Sequence, residues 1–145
     1  MLKLKRSACA VLPLVLKGRW YDMIERGEKK EEYRAASPYW AIRLSNWDDD
    51  GRKCVVEFRR GYGHDAPRMA FESPVYLHVT ESDHPEWGEP SGPHYMIVLA
   101  ERVILEARDE RAAYVRELPG PVHRWRDGLD EPPLPFLREG NAAKG

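Results

Sequence analysis

The sequence predicts an α+β fold: about five strands in a small curled or closed sheet, flanked by short helices, with a further helix and a tail at the C-terminus. Three observations carry the prediction. Apolar residues recur at helical spacing between 16 and 24, whereas segments 53–58, 69–79 and 94–105 alternate or run apolar as strands do. The loops joining those later strands are too short for helical crossovers, which argues against a doubly wound sheet, and a curled sheet buries both strand faces.

In chain order, LPLVL at 12–16 reads as a short buried strand. From Gly18 the period becomes helical, with Leu16, Trp20, Met23 and Ile24 on one stripe and Asp22, Glu25 and Arg26 facing away. Gly27 ends that helix, since glycine takes the positive φ of a helix terminus without a Cβ clash. GEKKEEYR, 27–34, is then a strand leaving a capped helix. Ser37 as N-cap and Pro38 as first helical residue predict a second helix over 37–47, with Tyr39, Ile42 and the stem of Arg43 as its apolar set.

WDDDG is a turn, and KCVVEF at 53–58 puts Cys54, Val56 and Phe58 on one face and Val55, Glu57 and Arg59 on the other. RRGYGHDAPR, 59–68, is a loop between strands. MAFESPVYLHV, 69–79, reads as one strand with Met69, Phe71, Val75 and Leu77 on one face and Glu72, Tyr76 and His78 on the other. The Pro/Gly-rich loop SDHPEWGEPSGP, 82–93, carries Trp87 and leads into an apolar strand, HYMIVLAERVIL, at 94–105. Beyond it, Asp109 caps a helix predicted through Leu118, and a Pro-rich tail contains PPLP at 132–135. The chain thus divides into a domain of residues 11–105 and a C-terminal region, 106–145.

With 145 residues there is material for one core. The net charge of -1 removes any global attraction to polyanions, so nucleic-acid binding requires a local site. Two cysteines, Cys9 and Cys54, are too few for a disulfide-built secreted domain and point to a reducing, cytoplasmic setting. MLKLKRSACAVLPLVL follows the plan of a secretory signal, but Pro13 interrupts it and no small-x-small cleavage site follows. Nothing else approaches the ~18 apolar residues of a membrane span, so no membrane partner is expected.

Six of the eight residues in GEKKEEYR are charged. A solvated strand edge accounts for such a run on its own. In a straight strand, however, Lys30, Glu32 and Arg34 share one face and Lys29, Glu31 and Tyr33 the other. A half-buried strand then turns one charged set inward, where charges are paired or employed.

Gly27, Lys29, Glu32 and Arg34 stand as G-x-K-x-x-E-x-R, which resembles the signature of the ASCH family, a small β-barrel fold related to the RNA-binding PUA domains. LPLVLKGRWYDMIERGEKKEEYR, SPYW, FRRGYGHDAPRM and WGEPSGPHYMIVL, in that order, resemble a phage-type branch of it over residues 11–105. The resemblance implies a PUA-like barrel and a cleft where Lys29, Glu32 and Arg34 meet a nucleotide or RNA, and the pocket is expected to recognise RNA or a modified nucleoside, with no cofactor. Lys29 and Glu32 are three apart, so they converge only if Lys29 still belongs to the turn after Gly27. Some relatives deacylate N4-acetylcytidine with the motif lysine, a threonine three residues on and a distant glutamate. Here Lys29 stands at the lysine and Glu32 at the threonine, and the distant carboxylate has no match by spacing. The enzyme alternative therefore casts Lys29 as activating base and Glu32 as proton carrier in an amidohydrolase or, as in other relatives, a ribonuclease.

Around this motif, Trp20 is the best aromatic to stand beside a base, although its helical stripe also suits a core. Tyr33 stacks or packs. Arg59, Arg60, Tyr62, His64 and Arg68 make a basic, aromatic loop suited to phosphates and bases, or an ordinary polar loop. Glu72, Tyr76 and His78 offer a spare acid or base, or an exposed strand face. His64, His78, His84, His94 and His123 show no zinc-like spacing with the cysteines, so no metal is expected. PPLP leaves open a protein-interaction module.

Overall fold

The computed structural model describes residues 1–106. The helix expected over 109–118 and the PPLP stretch lie outside the described residues. In order come β1 (Lys3–Leu4), β2 (Cys9–Leu16), α1 (Gly18–Glu25), β3 (Glu31–Ala35), α2 (Pro38–Asp48), β4 (Lys53–Arg60), β5 (Arg68–Glu72), β6 (Tyr76–Val79), β7 (His94–Val98) and β8 (Arg102–Leu105). Hydrogen bonding sorts the strands into a five-stranded sheet, β1-β8-β5-β4-β2, and a three-stranded sheet, β3-β7-β6. The fold is α+β, and the two sheets are not closed into a barrel.

Eight strands appear where about five were expected, in part because two long apolar segments are each cut in two. Pro74 has no N–H to give a ladder, so 69–79 divides into β5 and β6. Segment 94–105 divides opposite it into β7 and β8. The paired strands turn the corner together, held by Ser73 Oγ donating to the Val98 carbonyl at 2.7 Å and by Ala100 N–H donating to the Glu72 carbonyl at 2.8 Å. Each passes from one sheet to the other. The bend also resets the faces: Met69 and Phe71 are buried, whereas Val75 and Leu77 are exposed and Tyr76 packs on the core.

Leu12, Leu14 and Leu16 of β2 face the main core and Pro13 lies outward on this edge strand. The apolar N-terminal run is thus a core strand. β2 pairs parallel with β4, Leu12 opposite Val56. Parallel pairing demands a crossover, which here comprises α1, β3 and α2.

Both helices depart from the expected stripe in part, since Leu16 and Ile24 are buried as expected but Trp20, Met23 and Ile42 are not. α1 buries Tyr21 and Ile24 and leaves Trp20 and Met23 half-buried. α2 begins as expected, with Ser37 Oγ accepting from Trp40 N–H and Pro38 in the first turn, but it buries Trp40, Leu44 and Trp47. Those lie at i, i+4 and i+7, whereas Ile42 faces outward. Trp47 is anchored by Nε1–H donating to the Ala10 carbonyl at 2.8 Å.

A second apolar cluster, Cys9, Val55, Ala70 and Val103, occupies the other face of the larger sheet. β4 is therefore covered on both sides. Cys54 packs against the main core and Cys9 against the second cluster, so the thiols point to opposite faces and remain free. Burial raises both above the usual thiol range.

Candidate functional site

The site starts at the turn after α1. Gly27 has φ 82°, and the N–H groups of Glu28 and Lys29 both donate to the Met23 carbonyl, at 2.9 and 3.1 Å. The chain therefore doubles back before β3 begins. This turn sends the Lys29 side chain inward, where the residue is 2% exposed.

The Lys29 ammonium meets Glu32 Oε1 at 3.1 Å and donates to the Trp87 carbonyl at 2.8 Å. It also lies over the rings of Tyr33, at 4.4 Å, and Trp20, at 5.2 Å. Burial holds its pKa below the ordinary lysine value, partly offset by the charge and hydrogen bond of Glu32. Glu32 and Arg34, two apart on β3, share a face, and Arg34 Nη1 donates to Glu32 Oε2. The same Nη1 donates to the Tyr33 carbonyl at 2.6 Å, and the guanidinium lies 5.3 Å from the Trp40 ring centre. Arg34 Nε and Nη2 are shielded and have no hydrogen-bond partner among the described residues.

Two cations and one carboxylate thus converge, and next to them opens a cleft of about 210 Å³. Its lining includes Lys17, Trp20, Glu32, Tyr33, Arg34, Trp87 and Gly88. Lys29 does not line it. The lysine stands behind Glu32 and ties that carboxylate to the roof.

The roof is the 82–93 loop, folded around Glu89, which is 5% exposed. Glu89 Oε1 accepts from the N–H groups of Asp83 and His84, both at 2.8 Å, and Oε2 lies 2.7 Å from His94 Nε2. His94 Nδ1 lies 2.7 Å from the Gly92 carbonyl. Burial pushes the Glu89 pKa up, but the bonds from His94 and the two backbone N–H groups outweigh it, and the net direction is down. Gly88, at φ 85°, passes so close to Trp20 that a Cβ there would come within 2.8 Å of the indole.

Tyr33 packs its ring edge on His94 at 5.7 Å and donates its hydroxyl to Glu31 at 2.8 Å. Burial and Glu31 push its pKa up. Trp20, expected on the core stripe, stands half-buried in the cleft wall, and Tyr21 takes the core position.

The other candidates lie elsewhere. Arg59 has its guanidinium 5.9 Å from the Tyr62 ring and donates to the Gly61 carbonyl, and neither residue lines this cleft. Arg60 makes a two-point pair with Asp22, and His64 meets Asp65 in solvent. Arg68 lines a second cleft with Glu57. Glu72, in the larger sheet, pairs with Lys53, whereas Tyr76 and His78, in the smaller, meet the Tyr95 ring. Tyr76 and His78 thus share a face as expected, and Glu72 lies apart from them in the other sheet.

Glu89 and His94 were not anticipated as site residues. The available signal was a carboxylate five residues before a histidine, separated by Pro, Ser and Gly that let the chain loop back. Among the described residues no group of three or more His, Cys, Asp or Glu is placed to hold a metal ion, and no helix is long and apolar enough to cross a membrane. Comparison with family models, curated proteins and solved structures returned no match.

Proposed function

We propose that the cleft binds a nucleoside unit, either one nucleotide of single-stranded RNA or a free modified nucleoside, as its ASCH-like motif implies. The observation that carries this reading is the buried Lys29–Glu32–Arg34 cluster beside an aromatic-walled cleft of about 210 Å³. Burying three charges costs several kcal/mol per ion before pairing. A fold that keeps them at the edge of an opening favours their use. Trp20 offers an indole face for a base, a contact worth about 1–3 kcal/mol. Glu32 and Arg34 offer an acceptor and donors for the base edge or sugar, and Lys17 adds a positive charge at the lining. The bend shared by β5/β6 and β7/β8 is the device by which a PUA-like barrel would curl, and we include that barrel in the proposal.

Calorimetric titration with a single-stranded RNA hexamer and with free nucleosides tests the reading. Binding that falls at least tenfold in Trp20→Ala, with Arg59→Ala unaffected, is expected. Equal loss in both variants, or no binding by the intact protein, would remove the cleft as the site.

One observation favours hydrolysis as a second reading: the Lys29 amine is held below its ordinary pKa in contact with a carboxylate. Its neutral fraction at pH 7–8 is enlarged, as a general base requires. Water would add to the acyl carbon of an N4-acylcytidine, Lys29 and Glu32 would relay its proton to N4, and the C–N bond would break to give cytidine and a carboxylic acid. Because Lys29 does not line the cleft, the relay runs through Glu32. Loss of N4-acetylcytidine absorbance that Lys29→Met abolishes is the outcome this reading requires. No turnover leaves binding alone.

A further inference from the structure

Four strands form the edges of the two sheets, and three of them are guarded. β1 is two residues long, with Lys3 exposed. β2 carries Pro13, and its Ala10 and Pro13 carbonyls accept from Trp47 and Arg43 of α2. β3 holds three charges in five residues, Glu31, Glu32 and Arg34. Short length, proline, charge and a covering helix are the devices that keep an edge from pairing with another chain. β6, the fourth edge, lacks them along its run: from Val75 to Thr80 there is no Lys, Arg, Asp, Glu or Pro, and Val75 and Leu77 are 41% and 45% exposed. Among the described residues no backbone bond reaches its outer side.

The groups on that outer side follow from the ladder with β7. Val98 N–H donates to the Val75 carbonyl at 3.1 Å, which makes these two a hydrogen-bonded pair. Such pairs alternate along an antiparallel ladder, so Leu77 and Val79 also turn their N–H and carbonyl toward β7, and Tyr76 and His78 turn theirs outward. Two donors and two acceptors are thus offered by residues two apart.

The side chains show what fits them. Val75-Tyr76-Leu77-His78-Val79 has the same character read in either direction about Leu77. A second copy running antiparallel, centred on Leu77, sets Val75 opposite Val79 and Tyr76 opposite His78. Each Tyr76/His78 pair then exchanges two bonds, and every outward group of both copies is used. Apolar residues meet apolar residues, aromatic meets aromatic, and no like charges are brought together. A shift of one residue sets Tyr76 opposite Val79, whose backbone groups are committed to β7, and loses the ladder. A shift of two sets His78 against its own copy or against Pro74, which has no N–H.

We propose that β6 is a self-association edge, through which two copies of this chain pair antiparallel over Val75 to Val79 about a two-fold axis at Leu77. The smaller sheet then continues from one protomer into its partner. β6 and the cleft strand β3 lie on opposite edges of that sheet, so the contact is separate from the candidate site. About five residues a side take part, against the 20–30 of a standard interface, so the dimer is weak, dissociating on the order of 100 µM.

Sedimentation velocity of the full chain, over a range from about 5 to about 500 µM that brackets this value, is expected to show a monomer–dimer equilibrium. Leu77→Lys and Leu77→Glu should each be monomeric throughout. An equimolar mixture of the two should recover dimer at low salt, because on a two-fold axis position 77 meets itself. Ile42→Lys, at an exposed apolar position on α2, should leave the equilibrium unchanged. Leu77→Cys should cross-link two chains on mild oxidation, since residues facing each other in a non-hydrogen-bonded pair have Cα atoms about 4.5 Å apart. Val75→Cys, which faces position 79 of the other copy, should not. A chain that is monomeric at every concentration would overturn the proposal and leave the edge to a strand of another protein. Dimer that persists in both charged variants, or a cross-link at Val75 in place of Leu77, would put the contact elsewhere or in another register and overturn it equally.

Discussion

Two buried carboxylates, Glu57 and Glu32, each sit beside an arginine and a small cleft, and they differ in how completely the arginine is used. Arg6 gives Nη1 and Nη2 to both oxygens of Glu57, at 3.0 and 2.9 Å, and Nε to the Glu106 carbonyl at 3.1 Å. Every nitrogen is satisfied and one charge cancels one. Around Glu32, two cations face one carboxylate, and two buried Arg34 nitrogens have no partner among the described residues. The adjoining clefts are of similar size, about 190 and 210 Å³, so volume does not separate them. Burial and pairing mark structure in both places. Unmet hydrogen-bonding capacity is what distinguishes the two places.

That contrast can be broken most severely at Glu32. Glu32→Ala leaves Lys29 and Arg34 buried without their anion, and a loss of about 4 kcal/mol is expected in urea unfolding. A loss below about 1 kcal/mol would mean the two cations escape to water and are not locked in place. Arg6→Ala should cost less, about 2 kcal/mol, because its side chain is 23% exposed and solvent shares in the pair. Nucleotide affinity should not change in that variant, which is the sharper half of the test.

Two glycines give a smaller, matched comparison. Gly27→Ala strains the turn at φ 82° but meets nothing within 4 Å, so it should cost about 1 kcal/mol by the backbone alone. Gly88→Ala, at φ 85°, adds a clash with Trp20. It should cost more in thermal unfolding and shift Trp20 emission as the indole is pushed from the cleft wall. Identical effects in the two would mean that Trp20 is not held against the roof.

The smallest expected effect is a pH slope. Lys29 is held below its ordinary value of 10.5, chiefly by burial. Between its depressed native pKa and 10.5 the unfolded chain binds more protons than the native one, so stability from this group rises with pH across that window. Tyr33, raised in the fold, acts oppositely above pH 10, where the unfolded chain releases a proton first. Subtracting the urea midpoints of Lys29→Met from those of the intact protein between pH 7 and 10 isolates the lysine. A flat difference would mean that Lys29 titrates as it does in the unfolded chain.

Much of the fold could be read from local pattern. The α+β class, the end of α1 at Gly27, the Ser37–Pro38 start of α2 and the inward leucines of β2 follow from short-range sterics and periodicity. The helix stripes were displaced because which residues a helix buries depends on the partner it packs against. Tyr21 and Trp40 fill core space that Trp20 and Ile42 do not reach. The strand faces beyond Pro74 were reversed because a bend resets a period-two pattern.

The site divides in the same way. Charges on both faces of one strand drew attention to 27–34, the resemblance to a G-x-K-x-x-E-x-R signature singled out Lys29, Glu32 and Arg34, and the three-residue offset of Lys29 and Glu32 required a turn after Gly27 for them to converge. By itself the sequence determined that, if this strand is half-buried, one charged set turns inward, where charges are paired or employed. Only the tertiary structure decided that Lys29 stands behind Glu32, that Glu89 and His94 hold the roof, and that Arg34 keeps two shielded donors without a hydrogen-bond partner among the described residues. Those outcomes depend on contacts between residues far apart in the chain, such as Lys29 with Trp87, 58 positions on, and no local pattern encodes which donor a distant carbonyl will claim.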